Sequence, residues 1–330
     1  MCNLRPLAAT YYHRSNPFAQ CLPIKPPLGL TNTCGTSDNN AEGQVFLCPV
    51  CAPTALKMPQ ETNRLIGAVA SRSSQNIPKE MLVISPHSDD ACYSLACMLR
   101  TVARSLEARL EIITCFSISD FEANPHNRSI DAISRIRKSE DREFQKFIGG
   151  NCEMQWLDLL DAPLRGYNLS DICRGNSFTK EDERLVEILS KAVGRKITQD
   201  STVYLPLAIG NHVDHRIALS SAIRLIEYGG LSQEQVVYYE DLPYAGQLNF
   251  VDIEQRVEDV GRLAFTPLRP VIFHCATDPG ALVRAVKIYK SQYVAAHFRA
   301  IDLHIKSLDG NVRLWTGRPV EDDSSFHPRD

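Results

Sequence analysis

The sequence predicts a Rossmann-like α/β domain, a mostly parallel sheet with helices on both faces, preceded by an irregular N-terminal extension. Three observations carry this expectation. From Met81 onward, short apolar runs alternate with segments of helical period, as a doubly wound sheet requires. Two of those runs end in turns rich in His and Asp, where open α/β sheets place their ligand sites. Residues 1–78, by contrast, show no sustained period: they are Pro-rich from Pro23 to Pro27 and turn-like from Asn32 to Gly43. The expected boundaries are therefore 1–78 for the extension, 79–308 for the folded domain and 309–330 for a tail that packs briefly and frays.

The extension carries Cys48-Pro49-Val50-Cys51, half of the pattern that a zinc ribbon shows. Cys48 and Cys51 are thus candidate structural-metal residues, with Cys34 or Cys21 available to complete a set. The composition favours a partly disordered segment instead.

Met81 to Ile84 reads as a buried strand, followed by a helix from Asp90 to about Leu106. Arg109–Ser117 reads as the next strand and Ser129–Phe147 as a helix, with Ile130, Ile133, Phe144 and Phe147 on one stripe. Arg137 and Glu140 fall inside that stripe. Charges on a buried face either bridge each other or serve a site. Lys138, Asp141 and Arg142 read as surface residues. A third strand spans Glu153–Leu157, and a helix from Thr179 to about Lys196 has Leu185, Ile188, Leu189 and Ala192 at core spacing and a solvated charged first turn at 180–184. Ser201–Leu205 is a strand, Val213 to about Tyr228 a helix stopped by Gly229-Gly230, and Gln235–Tyr239 a further strand. Glu240, Asp241 and Tyr244 follow that strand, lining the same cleft or capping a turn. Val271–Cys275 is a last strand and Ala281–Phe298 a last helix.

The chemistry lies in the two turns. Ser85-Pro86-His87-Ser88-Asp89-Asp90 places an imidazole and two carboxylates after the first strand. His87 and Asp90, three residues apart across a strand-to-helix turn, can converge on one divalent ion, for which zinc accepts both donor types. Asp89 cannot easily chelate beside Asp90, so it faces the open coordination position, where a general base belongs. The second turn, Gly210-Asn211-His212-Val213-Asp214-His215, supplies a third ligand in His215. His212 is placed to protonate a leaving amine or to hold an oxyanion, and Asp214 to orient an imidazole. Taken singly, such residues more often cap helices. Together they give two His, one Asp and a spare acid.

The P-H-x-D-D turn after an apolar strand, with H-x-D-H after a later one, resembles the PIG-L/LmbE-like family of zinc-dependent N-deacetylases. Asp161-Ala162-Pro163-Leu164-Arg165-Gly166, Tyr239-Glu240-Asp241-Leu242-Pro243-Tyr244 and Tyr289-Lys290-Ser291-Gln292 resemble further stretches of that family in the same order, so the resemblance covers about Met81 to Arg299. It implies that His87, Asp90 and His215 bind zinc, that Asp89 is the base and that His212 is the acid or oxyanion stabiliser. Many members have Pro in place of Ser88 and Glu in place of Ala91, departures that bear on substrate more than on metal. An Arg followed three residues later by Glu also occurs at this helix in the family, which makes Arg137 and Glu140 candidate site-lining residues. In a carbohydrate cleft Asp161 would accept sugar hydroxyls and Arg165 would donate to them, unless the two form a loop salt bridge. The implied reaction is removal of an N-acetyl group from an amino sugar or its glycoside, giving a free amine and acetate. The alternatives are a catalytically silent sugar- or partner-binding module, or an amidase of the same scaffold acting on another N-acyl group. Fe²⁺ or Co²⁺ could replace zinc.

Composition narrows the classes further. Of 330 residues, 44% are hydrophobic, enough for a well-buried core. The net charge of -3 offers no basic field for nucleic acid. No stretch approaches the ~20 apolar residues of a membrane-spanning helix, and the N-terminus lacks a continuous apolar signal region, so a cytoplasmic protein is expected. Eleven cysteines cannot all pair within one chain, and those from Cys92 to Cys275 read as small core hydrophobes. No G-x-S-x-G elbow, phosphate-binding loop, dinucleotide fingerprint or H-E-x-x-H is present.

Overall fold

The computed structural model describes residues 78–317, apart from 105–107, 125, 169 and 276–279. The expectations for the extension, including Cys48 and Cys51, lie outside the described residues.

Strand β1 (Glu80–Ser85) is apolar and buried on both faces, as a central parallel strand must be. It feeds α1 (Asp90–Val102), and the chain continues through β2 (Arg109–Thr114), α2 (Ile130–Ile148), β3 (Cys152–Trp156), α3 (Lys180–Gly194), β4 (Ser201–Pro206), α4 (Val213–Glu227) and β5 (Val236–Tyr239). These five strands pair in parallel in the order β3-β2-β1-β4-β5. Because crossovers are right-handed, winding outward from β1 in both directions puts α1 and α2 on one face and α3 and α4 on the other. Accordingly α1 packs on α2 and α3 on α4. The winding reverses between β1 and β4, so the C-terminal ends of these two neighbours frame the crevice where such sheets bind ligands.

The C-terminal third departs from expectation. A helix α5 (Phe250–Leu263), capped by Asn249 accepting from the Asp252 amide, precedes β6 (Arg269–Phe273). The single helix expected over Ala281–Phe298 is two, α6 (Ala281–Val286) and α7 (Ala295–Ser307). The intervening loop is tied to α2: Tyr289 Oη donates to Asp141 at 3.0 Å, and Ser291 N and Oγ donate to Glu140 at 2.8 and 2.5 Å. The expected tail from Asp309 instead contributes β7 (Val312–Thr316), inserted antiparallel between β5 and β6. Burial of Val312, Leu314 and Trp315 explains its place, together with a polar staple in which Arg313 donates to Glu240 at 2.5 and 3.1 Å and Trp315 Nε1 at 2.8 Å. Glu240, also 2.8 Å from His304, is thereby structural.

Two side chains expected on the surface are buried. Asp141 lies on the inner face of α2 with Ile133, Arg137, Glu140, Phe144 and Ile148, whereas Ile130 is 41% exposed. Asp182, in the supposedly solvated first turn of α3, is buried as one half of a capping box with Thr179.

Candidate active site

The two turns meet because β1 and β4 are adjacent and parallel. Ser85 Oγ donates to the His87 carbonyl at 2.6 Å and accepts from the Ala91 amide at 3.1 Å, closing the first turn. Asp90 Oδ2 accepts from the His87 amide at 2.7 Å, which aims the same oxygen inward. That oxygen lies 3.3 Å from His87 Nδ1 and 3.3 Å from His215 Nε2. Each imidazole is held from behind by a carboxylate: His87 Nε2 is 2.9 Å from Asp214 Oδ2, and His215 Nδ1 is 2.6 Å from Asp241 Oδ1. Asp241 is fixed in turn by the Ile209 amide at 2.9 Å.

This donor set fits a divalent cation. Donors at the ~2.0–2.1 Å typical of zinc, arranged tetrahedrally, stand roughly 3.3–3.4 Å apart, which is the spacing of Asp90 from both nitrogens. His215 Nε2 is buried without a hydrogen-bond partner. Carboxylates on the far nitrogens are the usual companions of metal-binding imidazoles, because they fix tautomer and orientation.

Electrostatics separates the remaining residues. Burial opposes charge on His87, but Asp214 and Asp90 outweigh it and raise its pKa to about 9. Burial likewise works against the Asp90 carboxylate, yet His215 and His87 hold it well below the usual range. Asp89, whose side chain makes no capping bond, is pushed upward by burial and by Asp90, against Arg137 and His87. His212 is held well below the usual histidine range by burial and by His87. Its Nδ1 accepts the Asp214 backbone N–H at 3.2 Å, which places the ring proton on Nε2. The ring stands edge-on to His87, centroids 4.8 Å apart.

The family model described as GlcNAc-PI de-N-acetylase (PIG-L) matches residues 82–226, a span that contains both turns. The 2'-N-acetylparomamine deacetylase of Streptomyces fradiae is 31% identical over 243 residues, 72% of this chain and 81% of that protein. The chain belongs to the PIG-L family. Among solved structures, a teicoplanin deacetylase in its zinc-inhibited form aligns with 74% of this chain and 99% of its own, at 19% identity and a TM-score of 0.52. The A40926 pseudoaglycone deacetylase aligns over 72% and 97%, at 20% identity and a TM-score of 0.51. These two likenesses concern the fold.

Within this PIG-L domain the other candidate residues divide. Arg137 and Asp161 are each 3% exposed, and each keeps one atom, Nε and Oδ1, without a partner. Glu140 is spent on Ser291 and secures the loop before α7. Arg165, expected to donate to hydroxyls, is instead buried against Asp214 and Asp182. Tyr244 stands perpendicular to His215 at 5.7 Å between centroids. Gly210, at φ 84°, makes room for it, since a Cβ there would lie 2.6 Å from the Tyr244 ring. Sequence reasoning gave Asp241 no separate role. Its signal was its place at the C-terminal end of β5, next to β4.

Proposed function

We propose that this chain is a zinc-dependent N-deacetylase that removes the acetyl group from a small N-acetylamino sugar or its glycoside, giving a free amine and acetate. Family membership and the paromamine-deacetylase relative support the reaction class. The observation that carries it is the shared Asp90 oxygen, 3.3 Å from two imidazole nitrogens whose opposite nitrogens are both held by carboxylates.

In this reading His87 Nδ1, Asp90 and His215 Nε2 would hold the ion; zinc hydrolases and Fe²⁺ enzymes share such a two-imidazole, one-carboxylate set, and zinc is taken over Fe²⁺ or Co²⁺ on family membership. Bound there, a divalent cation would supply Lewis acidity, for the amide carbonyl and for a water that must lose a proton near neutral pH. Asp89 takes the proton of the attacking water. The same carboxyl returns that proton to the nitrogen as the C–N bond breaks. His212, neutral with its proton on Nε2, donates a hydrogen bond to the developing oxyanion, and Asp89 thereby carries both proton transfers. Asp214 keeps His87 oriented, and Arg137 and Asp161, each with one buried atom without a partner, are the residues we assign to the sugar. Among the described residues no helix is long and apolar enough to cross a membrane. We place the enzyme in the cytoplasm, acting on a small-molecule glycoside and not on nucleic acid.

The test is elemental analysis with acetate release from a panel of N-acetylamino sugars, for the parent and Asp89→Ala. About one equivalent of zinc in both, with turnover only in the parent, is expected. Full activity in Asp89→Ala would remove the proposed base.

A further inference from the structure

Arg165 is built into the wall behind His87. Its side chain is 2% exposed; Nη2 donates to Asp214 Oδ1 at 2.7 Å and reaches Asp182 Oδ1 at 3.3 Å, while Nη1 donates to the Leu160 carbonyl at 2.7 Å. The guanidinium lies over the rings of Phe116 and Tyr167, 5.1 and 5.6 Å from their centroids. Asp182, the far anchor, is buried and saturated by the Thr179 amide at 2.9 Å, the Thr179 hydroxyl at 2.7 Å and the Tyr167 hydroxyl.

The geometry matters because of what Asp214 does with its other oxygen. Oδ2 accepts from the Ala162 amide at 3.0 Å and meets His87 Nε2 at 2.9 Å. A carboxylate held along one edge can still swing about its Cβ–Cγ bond. The contact from Arg165 to Oδ1 closes that freedom and neutralises a charge that would otherwise be costly to bury. A planar fork meets both requirements in a way that a point charge does not.

We propose that Arg165 is a positioning residue for the metal centre: anchored on Asp182 at the start of α3, it locks the Asp214 carboxylate that orients His87. This rests on the reading of His87, Asp90 and His215 as the metal ligands. It assigns Arg165 to retention of the ion and not to contact with the sugar.

The experiment measures zinc affinity of the full chain by competition with a chromogenic chelator, for the parent, Arg165→Met, Arg165→Lys and His215→Ala. The visible spectrum of the cobalt-loaded protein is recorded alongside, because it reports ligand geometry and a merely weakened fold would not move it. His215→Ala is expected to lose binding. Arg165→Met should bind zinc more weakly, by up to the ~10- to 100-fold that losing a ligand's own hydrogen-bond partner costs, with an altered cobalt spectrum. Arg165→Lys should fall between it and the parent. A folded Arg165→Met with affinity within twofold of the parent (~2-fold being below any effect of this kind) and an unchanged spectrum overturns the proposal. If Arg165→Met does not fold, Arg165→Lys decides, and parental affinity there overturns it equally. Parental zinc affinity in His215→Ala would show that the ligand reading itself had failed, a pattern distinct from failure at Arg165 alone.

Discussion

Replacing His212 tests the division of labour between the two acid–base candidates. The Asp214 amide occupies Nδ1 at 3.2 Å, so the neutral ring has one proton to offer, on Nε2, and burial with neighbouring His87 resists a second. As an oxyanion donor, Nε2–H is worth most in the transition state. Its loss in His212→Ala should cost about 10²–10³ in kcat, or ~2.7–4 kcal/mol, with little change in KM. The assay is steady-state acetate release from two N-acetyl substrates, one releasing an alkylamine and one an arylamine. An alkylamine must be protonated to leave, whereas an arylamine depends much less on an acid. If His212 only donates to the oxyanion, both substrates lose activity by the same factor. If the arylamine substrate is largely spared, His212 is the general acid, and the argument from its Nδ1 contact is wrong.

Other outcomes follow from the same structure. Asp241→Asn, which weakens the 2.6 Å contact behind His215, should lower zinc affinity by about 10- to 100-fold; unchanged chelator competition would mean that His215 needs no such orientation. Burial drives the Asp141 carboxyl up to about 7, against the hydrogen bonds from Trp156 and Tyr289. Since the folded value lies above the ~3.9 of an unfolded aspartate, its contribution to stability is complete below that value and is lost as pH rises through about 7. The urea midpoint of the parent should therefore fall between pH 5 and pH 8, and Asp141→Asn should flatten that fall; identical pH dependence in the two proteins would contradict the shift. Arg313→Met, which breaks the buried pair with Glu240, should cost roughly 3 kcal/mol and lower the urea midpoint, whereas an unmoved midpoint would show that β7 is held by its apolar side chains alone.

Residues whose positions depend on neighbours close in sequence were legible. His87, Asp89 and Asp90 share one turn, and the apolar run before them places that turn at a strand end. The same holds for His212, Asp214 and His215 before α4. Side chains recruited across the chain were misread. Arg137 and Glu140 stood out as charges on an apolar stripe, but nothing local distinguished a residue that keeps an unpartnered buried atom from one spent on Ser291, 151 positions away. Asp141 and Asp182 looked solvated, because a carboxylate reads as surface until its donors are known. The strand at Val312–Thr316 resembled a tail, because its partners are β5 and β6 and not an adjacent hairpin.

By itself, then, the sequence determined an α/β sheet, the two strand-end turns and the donor atoms they carry. Hydrophobic period and turn chemistry are local properties that any short window displays. The tertiary structure alone decided that the two turns share one crevice, that Asp214 and Asp241 stand behind the imidazoles, and that Arg165 is buried against Asp214 and Asp182. Those facts depend on the order in which strands pair and on which buried charge finds which partner. Both are set by packing between segments far apart in the chain, and neither leaves a period or a spacing to read.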